Sequence, residues 1–212
     1  MNALRLASGK RRTQAERRAE SDDRLLSAAA EIVAREGYLA LTLERVGERA
    51  GFSRGLASRK YGSKDGLVAA LIRRAEAVVH AEVDAAIADI ADPLDRIVAL
   101  FDRFVAMVLG HDAVRAYFVL YGAVIANRLG PAGVFEDVQA RFGERLARLI
   151  HEGQASGSVD PALCVDHAAF MVGSLLAGIS VETEMASFDA APAATGPLRA
   201  SLGAMLRRAI AR

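Results

Sequence analysis

The chain has 212 residues, 52% hydrophobic and 25% charged, enough to bury a core without staples and too apolar for a disordered polypeptide. Its single cysteine excludes an internal disulfide framework and a cysteine-based zinc site. The net charge of +1 hides an asymmetry, with 16 Lys/Arg against 10 Asp/Glu in residues 1–80 and 11 against 16 in the rest, so the front of the chain suits a polyanion.

Five prolines, 6% aromatics and no sustained period-2 pattern favour helix over strand throughout. Residues 1–14 form a basic arm. A first helix is predicted over 14–36, where Leu25, Ala29, Ile32 and Val33 recur at helical spacing. Gly37 follows at the position where a helix end favours a residue without Cβ. Thr42 is the N-cap candidate of a second helix, with Leu43, Val46 and Ala50 as its buried stripe and Gly51 as its stop. Ser53 opens a short third helix to about Lys60. Ser63 opens a long fourth one, with Asp65 in the first turn, where the helix dipole favours negative charge. Leu67, Leu71, Val78, Val79 and Ile87 face inward from it, and Asp92-Pro93 ends it.

Five further helices are predicted: over 95–109, 113–128, 135–154, 163–184 and from Pro197 to the end, with 190–197 as a loop. The longest apolar run, residues 168–181, is shorter than the roughly 17–25 residues of a bilayer span. The N-terminus has no apolar stretch before a cleavage site. A soluble cytoplasmic protein without a membrane partner is expected.

Residues 42–60, TLERVGERAGFSRGLASRK, place two short helices around a glycine turn, the pattern of a helix-turn-helix. In that motif the first helix crosses the DNA backbone and the second enters the major groove. Here the second offers Ser53, Arg54, Ser58, Arg59 and Lys60 outward and Leu56 and Ala57 inward. Gly55 lets the backbone approach DNA closely.

The segment from Gly37 to Leu71 closely resembles the N-terminal domain of TetR/AcrR-type transcriptional regulators. The matching residues are Gly37-Tyr38, Thr42-Leu43, Val46, Ala50-Gly51-Phe52-Ser53, Gly55, Tyr61, Ser63-Lys64 and Leu67. The resemblance implies an all-α fold. A three-helix DNA-binding domain (15–80, after the arm 1–14) is joined by a long helix to a helical ligand-binding and dimerisation domain (81–212). It implies that Thr42 and Lys64 contact phosphates, that Ser53 to Lys60 form the recognition helix with Tyr61 beside it, and that Lys10, Arg11 and Arg12 reach the minor groove or backbone. Ser58 departs from the aromatic usual in the family, and Lys60 from its frequent histidine. Operator preference therefore does not transfer from a relative.

The aromatics Phe101, Phe104, Tyr117, Phe118, Tyr121, Phe135 and Phe142 read as core; the resemblance adds a cavity for a small apolar or amphipathic effector among them. Arg115 can pair there with an acidic ligand or, at the surface, with Asp112. The helix over 163–184 is apolar nearly all round and needs cover on two sides. Its small residues Gly173, Ala177 and Gly178, with Leu202 and Leu206 of the last helix, form the expected homodimer interface.

Gly51-Phe52-Ser53-Arg54-Gly55 fits the G-x-S-x-G string of hydrolases, yet a helix, not a strand, precedes the serine. The four histidines form no ligand pair, and Cys164 reads as a small buried residue. No catalytic residues, metal or cofactor are expected. The expected function is a dimeric regulator, most simply a repressor, which grips a pseudo-palindromic double-stranded operator and is released by its effector. The alternative is a helical small-molecule-binding or scaffold protein whose DNA domain no longer reads sequence.

Overall fold

The computed structural model describes residues 13–127, 130–185 and 192–212, without the side chains of 184, 185 and 192–195. Among these residues the chain is all helix: α1 (Gln14–Glu36), α2 (Leu43–Arg49), α3 (Arg54–Tyr61), α4 (Lys64–Ile87), α5 (Pro93–Gly110), α6 (Asp112–Asn127), α7 (Ala132–Ser156), α8 (Val165–Met185) and α9 (Pro192–Ile210), with a 3-10 turn at Tyr38–Ala40. One isolated bridge pairs Val159 with Ala211.

Local chemistry sets the helix limits. Thr13 and Glu16 form a reciprocal capping box at the start of α1. Thr42, Ser63 and Asp92 each accept a backbone N–H from the first turn of the helix they open, and Pro93 occupies the first helical position of α5. Gly37 ends α1 at φ 83°, and its N–H donates to the Val33 carbonyl. One boundary differs from expectation: α9 begins at Pro192, and Pro197 lies inside the helix. Pro192 fits a first turn, where N–H groups lack partners anyway, so the run 190–197 did not have to be a loop.

Two clusters of buried side chains organise the packing. The first holds Leu25, Ile32, Val46 and Ala57 of α1–α3 with Leu67, Leu71 and Ile72 of α4. It also takes in Ala116, Leu120 and Val124 of α6 and Phe135 and Val138 of α7. The second holds Val79 and Val83 from the other half of α4 with residues of α5 to α9. Helix α4 thus crosses from one core to the other, and α6 has side chains in both.

Helices α8 and α9 keep an apolar face uncovered. Phe170 is 75% exposed and Met171 69%, and Leu175, Val181, Leu198 and Met205 are also exposed. The outward stripe is therefore not the expected one on α9. Leu206 is buried against α5 and Leu202 packs on the same core, while Met205 points out. Sequence periodicity alone did not separate these faces, because both are apolar. The segment Val165–Thr183 is long and apolar enough to cross a membrane by length and composition alone.

Candidate functional site

Helices α2 and α3 meet around Gly47, Gly51 and Phe52. At Gly47 an added Cβ would lie 2.9 Å from the Ser53 carbonyl oxygen, so the close crossing of the two helices needs glycine there. Gly51 turns the chain at φ 74°. Arg24 of α1 clamps this turn: its guanidinium donates to the Ala50 carbonyl at 2.6 Å and lies 4.5 Å from the centroid of the Phe52 ring. Sequence reading missed this contact, which joins residues 26 positions apart.

The predicted DNA-facing residues fall into two groups. Ser53, Arg54, Gly55 and Arg59 are exposed along α3. Arg54 pairs with Glu48, whereas Arg59 makes no ion pair among the described residues. Thr42 accepts the Arg45 N–H through its hydroxyl oxygen, which leaves its own proton to donate outward. The arginines of α2 turn back to α1 instead, Arg45 to Glu36 at 2.6 Å and Arg49 to Glu31 at 3.1 Å.

The second group is already held by the protein. Lys60 bridges to Asp22 of α1 at 2.8 Å, and the Tyr61 hydroxyl donates to the same carboxylate at 2.6 Å. Lys64 donates to the Tyr38 carbonyl at 2.9 Å and sits 3.8 Å from the centroid of the Tyr38 ring. Burial lowers the Lys64 pKa, although Asp65 opposes it, and burial with the Asp22 contact raises that of Tyr61. Ser58 is half-buried. The arm residues Lys10, Arg11 and Arg12 lie outside the described residues.

Asp22 thus ties α1 to the C-terminal turn of α3. Burial alone would raise its pKa, but Lys60, Tyr61 and Arg74 outweigh it and hold the carboxyl below its ordinary 3.8. Stability contributed by this group is complete above about pH 4 and is lost as pH falls through the depressed value. Asp22→Asn should therefore melt below the parent at pH 7, with the difference narrowing towards pH 3; a difference independent of pH would exclude the charged role.

The second feature is a cavity of about 480 Å³ bounded by α4 to α8. Phe104, Tyr117, Phe118, Tyr121 and Phe142 line it with Phe170. Phe104 and Phe118 meet edge to face at 6.0 Å, and Tyr117 stacks parallel to Tyr121 at 6.4 Å.

Phe101, Phe135 and Arg115 are not in the lining, and Phe135 is buried in the first cluster. Phe101 is fully buried in the core, one turn away from the lining residue Phe104. Arg115 is 8% exposed and donates to the Ala34 carbonyl of α1, with Asp112 at 4.0 Å. It belongs to the α1–α6 contact. Conversely, Gly173 and Ala177, expected at the dimer interface, contribute to the cavity wall, while Gly178 is exposed. The polar lining residues Glu76, His80, Gln139, Glu144, Asp166 and Ser174 were not anticipated. Among the described residues no cluster of His, Cys, Asp and Glu has metal-binding geometry.

Residues 25–71 match the family model of bacterial regulatory proteins of the tetR family. No curated protein matches the chain. Among solved structures it is similar to a regulator described from Saccharomonospora viridis in complex with choline (20% identity, TM-score 0.74, 92% of this chain and 99% of that one). It is also similar to a ketosteroid transcriptional regulator of Mycobacterium tuberculosis (20%, 0.68, 98% and 100%). A TetR-family regulator from Marinobacter aquaeolei gives 17%, 0.69, 93% and 99%. The front of the chain is a tetR-type helix-turn-helix domain, and the whole has the two-part, all-helical fold of these regulators.

Proposed function

We propose that this tetR-type chain is a ligand-responsive transcriptional regulator, acting as a homodimer on a pseudo-palindromic operator and working most simply as a repressor in the cytoplasm. The observation that carries the reading is the pairing of a built helix-turn-helix with an aromatic cavity, through helices α4 and α6 that have side chains in both cores. Residues 15–80 would read DNA and 81–212 would take the effector and the second copy. The exposed face of α8 and α9 fits that second copy, since two such faces close into a four-helix bundle and cover each other. Two-fold symmetry then requires a two-fold operator.

The effector releases DNA only if it binds the DNA-incompetent form better. A preference of ~100-fold, or ~2.7 kcal/mol, suffices for useful release. One neighbour is described in complex with choline and another is named a ketosteroid transcriptional regulator, so the fold itself leaves the effector class open.

The test is an anisotropy titration of the protein against the DNA flanking its own gene, at two salt concentrations and with excess unrelated DNA. Binding that survives the competitor is expected; binding erased by it favours a scaffold whose DNA domain no longer reads sequence. In the same assay Arg59→Ala should lose ~1–3 kcal/mol of specific binding if the guanidinium makes a bidentate base contact. Lys64→Ala should weaken binding to every sequence and flatten the salt slope by about one. Parent-like binding by both variants would remove these residues from the interface.

A further inference from the structure

We infer that the cavity selects a lipophilic organic cation: a quaternary or protonated amine, or an onium ion, on an aromatic or branched apolar body. The inference deepens the reading above and rests on there being an effector at all. It comes from the charges around the cavity, not from its size. Three carboxylates, Glu76, Glu144 and Asp166, belong to the lining, and among the described residues no lysine or arginine does.

The nearest cations are already used. Arg141 of α7 makes a two-pronged contact with Glu76, at 2.6 and 3.0 Å. Arg145, one turn on, pairs with Asp84 at 2.6 Å. The His80 imidazole lies 3.9 Å from Glu76, so a proton on it is also set against that carboxylate. Glu144 on α7 and Asp166 on α8 make no ion pair within 4 Å among the described residues, Glu144 feels Arg141 only at longer range, and both are exposed. They are exposed members of the lining, so they leave it net negative.

The interior adds a second preference of the same sign. Aromatic faces carry negative quadrupole charge and attract a cation within about 6 Å. Tyr117, Tyr121, Phe104 and Phe118 bring aromatic rings to the lining. An anionic ligand such as a free carboxylate would meet repulsion from the carboxylates and find no counter-ion among the lining residues. A lipophilic cation would meet attraction at the carboxylates and a compatible wall inside. The volume, about 480 Å³, lies within the roughly 300–1,000 Å³ of small-molecule sites, so the apolar body can be substantial.

Tetraphenylphosphonium and tetraphenylborate share shape and size and differ in sign, which makes them the probes. By calorimetry on the full chain, the phosphonium should bind at least about tenfold tighter, an advantage that shrinks in high salt. Glu144→Gln with Asp166→Asn should bring the two within about threefold, and melting should be parent-like because both side chains are exposed. Equal or tighter binding of the borate, no binding of either ion, or a ratio unmoved by the double variant would each overturn the inference. Phosphonium binding without loss of the DNA complex would uphold it and count against effector-driven release. Release by the borate alone would do the opposite.

Discussion

Gly66→Ala should lower the melting temperature and weaken DNA binding together. Gly66 sits in the first turn of α4, directly under the end of α3. An added Cβ there would fall well inside contact distance of the Tyr61 carbonyl oxygen, which is backbone and cannot swing aside. The two helices would have to separate, and overpacking of this kind typically costs ~1–3 kcal/mol. In a chain of this size each kcal/mol is worth about 2–4 °C of Tm. The displaced end of α3 carries Lys60 and Tyr61, so the Asp22 anchor would loosen as well. Gly55→Ala is the contrasting variant. No atom lies within 4 Å of a Cβ added there, and alanine favours helix by up to ~0.5–1 kcal/mol. It should keep or raise the Tm yet weaken DNA binding if the backbone at Gly55 touches the duplex. Unchanged Tm in Gly66→Ala would mean the α3–α4 joint is looser than its geometry.

Most of the front half was legible because its signals are local. Thr42, Ser63 and Asp92 announce helix starts through chemistry acting over three residues, and Gly37 and Gly51 announce ends through φ. The contacts that fix the orientation of α3 were not legible. Asp22 with Lys60 and Tyr61, and Arg24 with Phe52, join residues more than 25 positions apart. Lys60 read as a groove-facing cation because sequence spacing puts it on the outer side of a short helix; its long side chain reaches back to α1 instead.

The same limit applies to the cavity and the outer face. An aromatic at helical spacing is equally consistent with core and with wall, and only the crossing of α5 over α6 and α7 separates Phe101 from Phe104. Glu144 and Asp166 look like solvated surface in sequence, and they are exposed; their role in the lining depends on α7 and α8 lying side by side. On α9 two apolar stripes compete, and the choice between Leu206 and Met205 is made by contacts with α5, including the pair Arg199–Asp102.

Arg115→Met should leave the DNA affinity of the free protein within about threefold of the parent while reducing the release produced by tetraphenylphosphonium. Such coupling is typically worth ~1–3 kcal/mol, or about 5–150-fold. Arg115 is a buried cation on the helix that also carries Tyr117, Phe118 and Tyr121 into the cavity. Its guanidinium reaches the Ala34 carbonyl in the last turn of α1, where helix carbonyls lack an internal partner. If the proposed effector rotates α6, this bond would pass the rotation to α1. From α1 it would reach α3 through Asp22, a route separate from the direct one along α4, which has side chains in both cores. Methionine keeps much of the apolar stem and removes the donor. Losing a hydrogen bond from a charged group costs ~1.5–3 kcal/mol, so a lower Tm is expected too. The Tm and the release factor separate the two effects: a purely structural residue would lower the first and leave the second at its parent value, and that result would assign the coupling to α4 alone.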